Sequence, residues 1–78
     1  MRYRLDLVLR PSEGALLRAL GLVERRGFAP RAIEGAPAPA DGHWRLCLTV
    51  ESDRPCEPLR HLMQKNHDCL QVEITACP

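Results

Sequence analysis

Four cysteines and three histidines are the side chains of this chain best suited to metal ligation or nucleophilic attack: Cys47, Cys56, Cys69 and Cys77, with His43, His61 and His67. A zinc site usually opens with a tight ligand pair such as C-x₂₋₄-C. The cysteines here are separated by 9, 13 and 8 positions, so no such pair exists and no metal site is expected. A nucleophilic cysteine needs a base, an orienting group and a place for the developing oxyanion. Cys56 and His61 lie near one another, but no neighbouring motif completes them. The acidic residues are scattered singly, which leaves no carboxylate pair for acid–base work. The chemistry-bearing residues therefore predict no catalytic group, no metal and no cofactor.

These side chains must be held by some framework, and hydropathy periodicity outlines it. Tyr3, Leu5, Leu7 and Leu9 alternate with Arg4, Asp6, Val8 and Arg10, the period-two pattern of a half-buried strand. Pro11 ends it, Ser12 is placed to cap a helix, and Glu13 suits the helix N-terminus. Leu16, Leu20 and Val23 then share one helical face, and Gly27 follows Arg25 and Arg26 as a C-terminal stop. Phe28 to Gly35 reads as a second strand. Its broken alternation predicts a bulge, and Pro30 predicts an edge position, because proline donates nothing to a ladder. After a Pro- and Gly-rich turn, Trp44, Leu46, Leu48 and Val50 alternate with Arg45, Cys47, Thr49 and Glu51 as a third strand. Ser52, Asp53 and Pro55 announce a second helix carrying Leu59, Leu62 and Met63. Leu70, Val72, Ile74 and Ala76 mark the last strand.

The element order is β-α-β-β-α-β, an α+β ferredoxin-like sandwich. Right-handed crossovers give an antiparallel sheet of order 4-1-3-2 with two helices on one face. Leu7, Leu46 and Leu48 are expected to face Leu16, Leu20 and Leu62 across the core. By the same alternation Arg4, Arg45, Cys47 and Thr49 lie on the opposite, open face, and Cys69 is expected there too. Cys47 and Cys69 cannot pair, because the first strand lies between theirs and two strand spacings are about 9.6 Å. Buried cysteine is the commoner state. The open face is thus either covered by a partner or carries tolerated surface thiols.

With 78 residues, the chain 1–78 has room for one domain. Eleven basic residues against ten acidic ones leave a net charge of +1, far from the basic excess of a nucleic-acid reader. The three aromatics, Tyr3, Phe28 and Trp44, fall on the inward phase of their strands rather than on an exposed stacking platform. A phosphate-cradling loop after the first strand is disfavoured as well: Pro11 removes an amide donor and Glu13 adds a negative charge. No apolar run approaches the roughly 20 residues of a membrane span. The first ten residues alternate charged and apolar types unlike a signal peptide. A cytoplasmic location with reduced thiols is expected.

The run from Arg10 through Gly14 to Leu20, followed by Arg25-Arg26-Gly27-Phe28, resembles an ACT domain. The pieces Leu48-Thr49-Val50-Glu51-Ser52, Leu62 with Lys65, and Asp68 ahead of Val72-Glu73-Ile74 resemble, more narrowly, the short small subunit of acetohydroxyacid synthase (acetolactate synthase, isozyme II type). The resemblance implies a noncatalytic regulatory subunit that pairs as a homodimer. It would bind and activate a large, thiamine-diphosphate-dependent catalytic subunit on the route to branched-chain amino acids. It also implies an effector seat at Ser12, Glu13, Gly14 and Ala15, with a branched-chain amino acid as effector. Where the family pattern has asparagine this chain has Pro11, and where effector-sensing subunits tend to have Asn-Ile it has Ala29 and Pro30. Weak or absent effector binding follows. Gly14 otherwise serves only the packing of the helix start. Two other readings stand beside this one: a stand-alone amino-acid sensor, and a ligand-free ferredoxin-like interaction domain.

Overall fold

The computed structural model describes residues 1–77. Its elements are β1 (Arg2–Leu9), α1 (Ala15–Arg25), β2 (Ala29–Pro37), β3 (Trp44–Glu51), α2 (Glu57–Lys65) and β4 (Cys69–Ala76). The strands form one antiparallel sheet in the order β2-β3-β1-β4, the expected 4-1-3-2 read from the other edge.

Strand alternation sets the core. Tyr3, Leu5, Leu7 and Leu9 of β1 pair with Val50, Leu48, Leu46 and Trp44 of β3, and all but the half-buried Trp44 are buried. These two central strands carry the apolar face on which both helices rest. Tyr3 and Phe28 meet as tilted rings with centroids 6.0 Å apart, so these aromatics belong to the core.

The helix α1 differs from expectation in which residues go deepest. The buried line is Ala15, Ala19 and Val23. Leu16 and Leu20 flank it, partly buried against the core. Small side chains at i, i+4 and i+8 let the helix lie close to the sheet, and the leucines fill the grooves beside it. Ser12 does not cap this helix. Gly14 is the N-cap, in the left-handed region at φ 76°, with no side-chain cap bond. At the other end Gly27, at φ 90°, turns the chain into β2 as expected.

The start of α2 is also displaced. Cys56 is its N-cap, and Pro58 rather than Pro55 lies in its first turn. Ser52 is buried and its hydroxyl accepts the Arg54 N–H at 3.0 Å, which tightens the preceding turn instead of capping the helix.

Two bulges reshape the edge strands. In β2 the register shifts between Pro30 and Ala32, where the broken alternation predicted it. In β4 the register shifts opposite Val8 and Leu9. That second bulge corrects an expectation: it puts Cys69 opposite Leu9 and packs it against the core, while Leu70 turns outward. Cys69 is therefore not on the open face, and its partial burial pushes its thiol pKa up.

Candidate functional site: the β1–α1 loop and the open sheet face

The loop from Arg10 to Gly14 leaves the sheet beside Leu9 and enters α1 through glycine. The left-handed φ at Gly14 is what glycine supplies without a Cβ penalty. The Ala15 N–H donates to the Ser12 carbonyl at 3.1 Å, and the Arg18 N–H to the Gly14 carbonyl at 2.9 Å. Ser12, Glu13 and Gly14 are exposed, whereas Ala15 is buried. The Glu13 and Gly14 N–H groups donate to no acceptor among the described residues. The four expected effector-seat residues are thus contiguous and at a helix N-terminus. One of their amides is already spent.

Across this loop lies a group that local sequence patterns do not reveal. The guanidinium of Arg18 meets the Asp68 carboxylate with two hydrogen bonds, Nε to Oδ2 at 2.8 Å and the second nitrogen to Oδ1 at 3.1 Å. A Cβ built on Gly14 would stand 2.8 Å from Arg18 Nη1, so Arg18 occupies the space directly above the glycine. Hydrogen bonding from Arg18 holds the Asp68 carboxyl below the usual carboxylate range, and the same bond raises the Arg18 pKa. Asp68 is itself fixed by the Asn66 side chain, which accepts its N–H at 2.8 Å. The Asp68 carbonyl accepts the Arg10 N–H at 2.7 Å, and Arg10 Nε donates to the His67 carbonyl at 2.8 Å. Pro11 faces Gly42 of the β2–β3 hairpin, where an added Cβ would come into ordinary van der Waals range of its ring. The loop is therefore braced from the segment that leads into β4.

The open sheet face carries Arg4, Arg45, Cys47 and Thr49, as alternation requires. Arg4 lies opposite Thr49, Asp6 opposite Cys47, and Val8 opposite Arg45. Arg4 pairs with Asp6 at 3.2 Å. Glu34, Cys47, Asp6 and Glu73 form one continuous row across the four strands, bordering a shallow depression of about 710 Å³. The carboxylates of this row escaped the sequence reading because each comes from a different strand; only the register aligns them. Among the described residues no group of three or more His, Cys, Asp or Glu is placed to hold a metal ion, and no helix is long and apolar enough to cross a membrane. All four cysteines are free thiols.

Residues 11–72 match the family model of the ACT domain. The chain belongs to the ACT domain family. No curated protein sequence matches it. Among solved structures, this ACT domain is similar to the acetolactate synthase small subunit of Thermotoga maritima, with TM-score 0.78 and 20% identity, covering 95% of this chain and 47% of that one. It is similar to the ACT domain of a GTP pyrophosphokinase of Chlorobium tepidum, with TM-score 0.72, 18% identity and coverage of 96% and 97%. A formyltetrahydrofolate deformylase of Burkholderia mallei matches with TM-score 0.75 and 12% identity over 97% of this chain and 28% of that one. The chain thus spans about half of the synthase subunit and under a third of the deformylase. At these identities the likeness is one of fold. An ACT domain is a regulatory module, and in this one Gly14 opens the first helix.

Proposed function

We propose that this ACT domain is the noncatalytic small subunit of an acetolactate synthase, acting in the cytoplasm to bind and activate a large, thiamine-diphosphate-dependent catalytic subunit carried by another chain. The sequence resemblance and the fold likeness to a synthase small subunit support the choice of partner. The observation that carries the mode of action is the occupied space above Gly14. A helix N-terminus with free amides attracts a carboxylate. Here, however, an incoming amino acid meets Arg18 already neutralised by Asp68, and the Ala15 amide is already bonded. The loop works as a brace, and the domain acts through its surfaces.

Activation of this kind is a population shift, and it requires tighter binding to the active arrangement of the partner than to the inactive one. We assign that contact to the open sheet face, with Arg4, Arg45, Cys47 and Thr49 at its centre. We assign self-association to the β2 edge. Ile33 lies opposite the buried Leu48, on the helix side of the sheet, yet is 53% exposed, and Leu17 of α1 is 75% exposed. A second copy would cover both.

The stand-alone sensor reading rests on the Glu13 and Gly14 amides, which remain free for a ligand. Co-purification with the cognate large subunit and an activity assay with and without this chain separate the two. A sensor would leave the synthase rate unchanged.

A further inference from the structure

The end of α1 and the start of α2 enclose a second concavity, at the opposite end of the sheet from Gly14. We infer that this cleft binds a small monocarboxylate with a short apolar chain. Its volume is about 240 Å³, below the roughly 300–1,000 Å³ of sites for drug-sized ligands, which limits the ligand to a handful of carbon atoms. Phe28 and Leu59, 2% and 1% exposed, form its floor, and Leu62 and Pro58 line its wall. Arg26 and Arg54 also line it, and no carboxylate does.

The charge pattern identifies the ligand's head. Arg2, Arg4, Arg18, Arg31 and Arg60 are each tied to a carboxylate. Among the described residues neither Arg26 nor Arg54 has an ion-pair partner. The Arg54 main chain is held in place. Its N–H donates to the Ser52 hydroxyl at 3.0 Å, and its carbonyl accepts the buried Tyr3 hydroxyl at 3.3 Å. Its side chain lies over Gly27, with Nε 2.6 Å from where a Cβ would stand. Gly27 lacks that atom, and its φ of 90° disfavours any residue that has one. A planar guanidinium fork beside an apolar floor matches a carboxylate with a hydrocarbon tail.

The test is a titration of the ¹⁵N-labelled chain with isovalerate into the roughly 10 mM range, followed by amide shifts. Acetate, isoamyl alcohol and inorganic phosphate run in parallel. Saturable shifts at Gly27, Phe28, Leu59 and Leu62 are expected with isovalerate, with binding at least about tenfold weaker for acetate and for the alcohol. The double variant R26A/R54A should lose about tenfold or more in affinity, with shift dispersion elsewhere unchanged to show that it folds. The inference is overturned by an absence of saturable shifts, by phosphate binding as well as isovalerate, by shifts centred on Gly14 and Ala15, or by unchanged affinity in a folded R26A/R54A. None of these outcomes depends on the synthase partner.

Discussion

Arg18 and Asp68, fifty residues apart, are joined by a two-pronged ion pair that spans the mouth of the β1–α1 loop. The pair connects the second turn of α1 to the start of β4 and lies over the one glycine that opens the helix. It couples the loop's shape to the β4 edge of the sheet.

This pair gives the domain an acid-sensitive contribution to stability. The Asp68 pKa is lowered in the folded chain, chiefly by the hydrogen bond from Arg18. The unfolded chain therefore takes up that proton first, near the ordinary aspartate value of about 3.9. The contribution is complete above that pH and is lost as pH falls through the folded value. Urea melts at pH 7 and near pH 3 should show a smaller acid loss for Asp68→Asn than for the native chain. Equal acid losses would remove the pair from the account.

Effector binding should be weak. Pro11, Ala29 and Pro30 offer no side-chain polar group, and a hydrogen bond to a charged group contributes about 1.5–3 kcal/mol. Losing two weakens an amino acid by orders of magnitude. Calorimetry with valine, leucine and isoleucine should give no low-micromolar affinity; such an affinity for any of them would contradict the loop's role as a brace.

Core and surface should separate cleanly. Leu48 is fully buried between β2 and β1 on the helix side. Its truncation to alanine should cost about 2–5 kcal/mol, a large share of a small domain's stability. Alanine at Arg4, Arg45 or Thr49 should leave the melting temperature nearly unchanged, as surface changes do. A thermal melt of each variant decides it.

Much of this was legible from periodicity. The alternation in Tyr3–Leu9 and Trp44–Val50 matches their burial, because strand alternation is local and both strands are central. The Pro30 edge and its bulge were legible for the same reason. The depth order in α1 was not, since a 3.6-residue period marks a face without saying whether alanine or leucine lies closest to the sheet. The inward turn of Cys69 depends on a bulge set by pairing with β1, and a shift of one residue flips every following side chain. The Arg18–Asp68 pair left no local signal, because its partners meet only after the sheet closes. At the effector seat the positions were legible and the occupant above Gly14 was not.

Self-association should run through the β2 edge. Sedimentation at high micromolar concentration should give twice the monomer mass. Ile33→Arg, at a half-exposed edge position, should return the monomer without lowering the melting temperature of the domain. A native chain that remains monomeric would contradict the dimer.

The most direct test of the central claim is the acetolactate-forming rate of the purified cognate large subunit, measured with and without this chain. Co-purification and a clear rise in rate are expected, and Arg4→Ala, Arg45→Ala and Thr49→Ala combined should reduce that rise while the domain stays folded. A large subunit that neither binds the chain nor changes its rate would contradict the claim.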